Sequence, residues 1–217
     1  HGEIANSVFD EPLFGYSERS LCSTLVDYGD YCTEGTENRA ILQPQRTIFR
    51  SSKVAKLRYC PAEMIEPIDL DSARILYVPT TYMGNKIYGP YHAYVDSVYV
   101  EWQRALCNSI PKLTLKSHPK SHTTIKFECK METRWLDNCI HDYDLIMIDY
   151  FATSAVLSLI SDKPVIYFDI GLRRLSPEMS KDLASRCQYE KIEINEDLKE
   201  QIHAALERYV DRTGSWS

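Results

Sequence analysis

Several side chains able to hold phosphate or move a proton fall just after short apolar runs, where a parallel sheet would gather them at one edge. His118 lies in Lys116-Ser117-His118-Pro119, directly after the run Leu113-Thr114-Leu115. An imidazole at the carboxyl end of a strand can stabilise developing negative charge, and the proline stops the strand there. Together with Lys116, Lys120 and His122 it also reads as a basic surface loop. Asp149 closes the apolar run 145–148 and reads as a turn cap ahead of an acceptor for a ribose hydroxyl. Thr153 and Ser154 follow, able to cap the next helix and to offer hydroxyls to a phosphate beside its first amides. Arg173 and Arg174 come after Phe168-Asp169-Ile170-Gly171, where a guanidinium can grip a diphosphate bidentately or simply be solvated. His118, His122, Cys129, Cys139 and His141 are spaced too irregularly for a structural zinc site, so no metal is expected.

The elements that must position these residues are legible from pattern. The segment 144–169, DLIMIDYFATSAVLSLISDKPVIYFD, reads as strand, polar turn, apolar helix and second buried strand, which is a βαβ unit. Arg74 to Pro79 opens like the first strand of a sheet, and a turn-rich stretch then leads to a helical pattern over 91–108 carrying Val95, Val98, Trp102, Ala105 and Leu106. Leu113 to Lys116 is a second strand, Met131 to His141 a weaker helix, and 198–210 an amphipathic helix. Strands alternating with helices predict an α/β, doubly wound, Rossmann-like parallel sheet. A proline-punctuated acidic stretch at 60–71 divides the chain near residue 70. The first 70 residues hold one strand, 23–28, and a short run at 54–59, and read as the end of a larger domain.

Composition narrows the function classes. A chain of 217 residues that is 44% hydrophobic can bury one substantial core. Its formal net charge of -6 argues against broad nucleic-acid binding. No stretch approaches the roughly 20 apolar residues that cross a bilayer, and no signal segment opens the chain, so a soluble, cytoplasmic protein is expected. Seven cysteines, an odd number without a CxxC pair, read as reduced thiols.

The order of these segments resembles the CDP-glycerol glycerophosphotransferase family and related capsular-polysaccharide transferases of the GT-B fold. ILYVPT at 75–80 is similar to the strand that begins that family's carboxy-terminal nucleotide-binding domain. KSHP at 116–119 resembles its K-P-H-P segment, DLIMIDYFATSAV at 144–156 its D-x-L-I-T-D-Y-S-S-V segment, and His1-Gly2 its amino-terminal histidine-glycine pair. Ser117 stands where the family has proline, Phe151-Ala152 where serine directly follows tyrosine, and Thr80-Thr81 is not followed by tryptophan-arginine.

The resemblance implies a GT-B transferase that passes a sugar or glycerol-phosphate group from a nucleotide-activated donor to a polysaccharide or lipid-linked, teichoic-acid-like acceptor, without a metal or other cofactor. It implies residues 1–70 as the end of an amino-terminal domain and 71–217 as the nucleotide-binding domain, with the missing half in the rest of the protein or in a partner chain. His1 would be the base that deprotonates the acceptor, and His118 would stabilise the leaving phosphate with Lys116, Asp149, Thr153, Ser154, Arg173 and Arg174. The whole enzyme would be cytoplasmic or peripheral at the inner membrane face. A non-catalytic nucleotide-binding or assembly module and a sugar-nucleotide epimerase are the alternatives.

Overall fold

The computed structural model describes residues 68–80, 96–118, 126–172, 175 and 177–211, with the backbone of two strands nearer the amino terminus. Those two, β1 (Thr24–Asp27) and β2 (Gln45–Ile48), pair in parallel. The first falls inside the expected strand 23–28, while the run 54–59 lies outside the described residues.

Among the described residues the main sheet has six strands: β3 (Ile75–Val78), β4 (Leu113–Lys116), β5 (Lys130–Glu132), β6 (Leu145–Ile148), β7 (Val165–Asp169) and β8 (Gln188–Lys191). Every pairing is parallel, in the order β5-β4-β3-β6-β7-β8. Counted from β3, this is the 3-2-1-4-5-6 order of a Rossmann-like sheet, which reverses direction between β3 and β6. The α/β doubly wound architecture expected from the sequence is therefore the one observed.

Both faces of the sheet are covered, which explains why its central strands read as continuous apolar runs. On one face Ile75, Tyr77, Leu115, Met147 and Phe168 pack against α1 (Asp96–Ser109) and α5 (Leu198–Asp211) through Trp102, Leu106, Ile202 and Ala205. Trp102 meets Phe168 edge to face, with ring centroids 5.3 Å apart. On the other face Leu76, Val78, Ile146, Ile148 and Tyr167 pack against α2 (Leu136–Cys139), α3 (Thr153–Leu159) and α4 (Pro177–Arg186). The β3-to-β4 crossover thus runs over one face and the β6-to-β7 and β7-to-β8 crossovers over the other. That is the arrangement a single crossover hand produces on the two sides of a reversal point.

One expected element is corrected. In place of a helix over 131–141, Met131 and Glu132 extend the sheet beside Leu115 and Lys116. The Glu132 carboxylate then accepts from the backbone, Nε and guanidinium of Arg134 and from the Tyr143 hydroxyl. This turn delays helix until α2, which is followed at once by a 3-10 turn (Ile140–Asp142). Among the described residues, no helix is long and apolar enough to cross a membrane.

Leu106 is fully buried between α1 and the sheet. Leu106→Ala is expected to cost about 2–5 kcal/mol through lost contacts and the residual cavity. In urea unfolding the midpoint falls while the slope stays constant.

Candidate functional site

Three chain segments leave the sheet side by side at its carboxyl edge. Tyr77 is level with Leu115 and Val78 with Ile148, so Val78-Pro79-Thr80, Lys116-Ser117-His118 and Ile148-Asp149-Tyr150 emerge at one height. The exits of β4 and β6 flank that of β3 and, at two strand spacings of about 4.8 Å, stand roughly 10 Å apart. A crevice outside the reversal point of a doubly wound sheet is where ligands bind in this architecture.

Asp149 stands beneath this edge, 2% exposed, on the face covered by α1. Its carboxylate accepts from the Tyr77 hydroxyl, from Tyr99 at 3.1 and 2.9 Å and from the Trp102 indole N–H at 3.1 Å. The Tyr99 hydroxyl in turn accepts from the backbone N–H of Thr80 at 3.0 Å, which ties the exit of β3 to the same cluster. Both oxygens of Asp149 are therefore engaged inside the protein. Burial raises its pKa to about 6, against the opposing pull of the hydrogen bonds from Tyr77, Tyr99 and Trp102. Burial, and then the Asp149 charge, push both tyrosine hydroxyls well above their usual range.

The other sequence-derived residues divide by exposure. Lys116 is 5% exposed and donates from Nζ to the Ser117 carbonyl at 3.1 Å, so it lies within the edge and not upon it. His118 is half-exposed two residues beyond β4. Thr153 is exposed and Ser154 half-buried in the first turn of α3. Neither is the cap expected from the sequence. The N-cap is Ala152, without a side-chain hydrogen bond, and its carbonyl receives the Val156 N–H at 3.1 Å. The Ser154 carbonyl accepts from the Ser158 hydroxyl at 2.8 Å, an internal bond of the same helix.

The next exit is also built for a tight reversal. Gly171 adopts φ 75°, a region open to glycine at no steric cost, and its N–H donates to the Asp169 carboxylate at 3.0 Å. His1, Arg173 and Arg174 lie outside the described residues. Among the described residues, no group of three or more His, Cys, Asp or Glu side chains could hold a metal ion. A cavity of about 520 Å³ opens at the opposite, amino edge, between Leu70, Ile75, Ile110, Pro111 and Leu206, away from the residues considered above.

No protein-family model matches the chain, and no curated protein sequence matches it. Solved structures similar to it include the spinosyn forosaminyltransferase SpnP, at 8% identity and a TM-score of 0.42, over 87% of this chain and 46% of that one. The wall teichoic acid polymerase TagF matches at 12% identity and a TM-score of 0.42, over 98% of this chain and 62% of that one. The chain therefore spans about half of one and three-fifths of the other. At such scores neither likeness bears on what this chain does.

The Asp149 cluster has a pH signature. A carboxyl that titrates at 3.8 when unfolded and about 6 when folded favours its neutral form in the fold. Its contribution is thus fully present below about 4 and is lost as pH rises through about 6, a fall on the order of 3 kcal/mol. Glu132 acts in a lower window: hydrogen bonds from Arg134 hold its carboxyl at about 2, so its contribution fades as pH falls below 4.5. Unfolding measured between pH 4 and 7 is expected to show this decline in the wild type and to lose it in Asp149→Asn. An unchanged slope in the variant would remove the assignment.

Proposed function

We propose that residues 71–217 are the nucleotide-binding half of a GT-B-type transferase. It would move a sugar or glycerol-phosphate group from a nucleotide-activated donor to a polysaccharide or teichoic-acid-like acceptor, with residues 1–70 the end of the acceptor-side domain. The observation that carries the reading is the convergence of three separate segments. ILYVPT, KSHP and DLIMIDYFATSAV, far apart in sequence, leave three adjacent strands at one height across the reversal point.

In the proposed chemistry an acceptor oxygen forms a bond to the transferred group as the bond from that group to the nucleotide phosphate breaks. His118 donates a hydrogen bond to the departing phosphate, where fixed donors act best because they meet charge as it develops. Thr153 and Ser154 offer hydroxyls from the start of α3, and Arg173 and Arg174 supply cationic charge from the β7 exit. Lys116 adds a buried positive charge behind His118. Asp149 contributes indirectly, by holding the exits of β3 and β6 together. His1 takes the acceptor proton from the other half of the enzyme. The acceptor is a surface-polysaccharide precursor, and the enzyme works in the cytoplasm or at the inner membrane face.

Calorimetric titration of the chain with CDP, CMP, UDP and GDP tests the reading. One nucleotide is expected to bind selectively, with His118→Ala and Ser154→Ala each weakening it roughly ten- to a hundredfold, the worth of one hydrogen bond to a charged group. Binding that neither substitution weakens would remove the site from this edge. Binding without turnover in the full-length enzyme would favour the non-catalytic module, and conversion of the donor without acceptor would favour the epimerase.

A further inference from the structure

Cys107 and Cys129 lie apart from the carboxyl-edge residues and close to each other. Cys107 sits in the last turn of α1 and is 4% exposed. Cys129 is half-buried and immediately precedes the edge strand β5. Both are free thiols, with their Sγ atoms 3.5 Å apart. A cavity of about 210 Å³ is lined by Arg104, Cys107, Asn108, Lys126, Phe127 and Glu128, and so reaches Cys107 and the chain just before Cys129. A disulfide is about 2.05 Å long, so bonding requires the two sulfurs to approach by roughly 1.5 Å. Cys129 is carried by irregular chain outside the sheet ladder, just before the first paired residue Lys130. Cys129 is reached through its own partial exposure and Cys107 through the cavity, where Arg104 and Lys126 favour an anionic reagent over the opposing charge of Glu128.

We propose that Cys107 and Cys129 form a dithiol-disulfide site oxidised by an anionic low-molecular-weight disulfide of the glutathione type. Cys129, the more exposed thiol, loses its proton to solvent and attacks one sulfur of the small disulfide. A mixed disulfide forms on Cys129 and one small thiolate leaves. That thiolate takes the proton of Cys107, whose sulfur then attacks Sγ of Cys129 and expels the second small thiolate, which picks up a proton from water. In total the two protein thiols lose two electrons and two protons, and the small disulfide becomes two thiols. Burial and the neighbouring Cys129 push the Cys107 thiol well up, which assigns the first attack to Cys129 and the resolving step to Cys107. The product staples the carboxyl end of α1 to the entry of β5, and excess reductant reverses it. This site is independent of the transferase reading.

The test uses the full chain, incubated with oxidised glutathione, alkylated, and analysed by intact mass and peptide mapping. The wild type is expected to lose two alkylatable thiols, retain no glutathione adduct, and yield a peptide pair linking Cys107 to Cys129 that dithiothreitol separates. Cys129→Ser should keep the Cys107 thiol, and Cys107→Ser should trap a glutathione adduct on Cys129. Circular dichroism checks that both variants fold. If either does not, the wild-type map decides alone. A folded wild type that keeps both thiols, stops at a mixed disulfide, or links other cysteines overturns the proposal.

Discussion

Placing an aspartate in a dry protein interior costs several kcal/mol unless donors meet it, and the Asp149 carboxylate meets three. They come from two other elements: Tyr77 from β3, and Tyr99 and Trp102 from one turn of α1. None of these can be satisfied until β3, β6 and α1 are in place together, so the cluster couples sheet register to helix docking. The Trp102 indole also reaches the Tyr77 hydroxyl at 3.1 Å, which closes the network on itself. Such networks reinforce one another in a low dielectric, and a single missing partner would leave a buried polar group exposed to the full cost. The cluster sits at the end of β6, so the part of the sheet it specifies most tightly is the reversal point.

The outer strands are held by different means. Gln188 on β8 is fully buried, and its side-chain amide donates to the Ala205 carbonyl on α5 and to Glu190, each at 2.7 Å. Arg208 on α5 closes on the same Glu190 carboxylate. On the other face Tyr189 stacks on Tyr167, with centroids 5.5 Å apart and planes 2° from parallel, and its hydroxyl donates to Asp169. Polar side chains thus fasten the β8 edge from within the strand itself, whereas β3 and β6 are apolar along their length and their polar anchor sits at the carboxyl end.

This difference explains what could be read in advance. β3, β6 and β7 are dominated by apolar residues buried on both faces, and α1 and α5 repeat apolar residues at helical spacing; both signals are local. β8 is Gln-Tyr-Glu-Lys, and two of its buried positions depend on partners 17 and 18 residues further on, which no local pattern reveals. β5 was hidden in a similar way. Its three residues resemble the first turn of a helix until Glu132 is seen to be held by Arg134 and Tyr143. The positions of His118, Thr153 and Ser154 at the carboxyl edge follow from strand order alone. The burial of Asp149 does not, since its donors lie 47 to 72 residues away. A signal did exist in Tyr99 and Trp102, two polar-tipped aromatics on the buried stripe of α1, which need a partner within the core.

The edge thus separates groups whose hydrogen bonds are spent within the fold from groups that remain exposed to solvent. Asp149 and Lys116 belong to the first set, and moving either toward a ligand would leave a buried carbonyl, hydroxyl or indole unsatisfied. Thr153 belongs to the second, and exchanging water for a ligand oxygen costs it little. A ligand arriving at this edge therefore meets exposed side chains on a backbone already fixed from below. Ordering that backbone, which usually opposes binding, has been completed during folding. The Asp149 cluster, buried beneath this edge, is in this sense the part of the sheet that makes the edge's geometry reproducible.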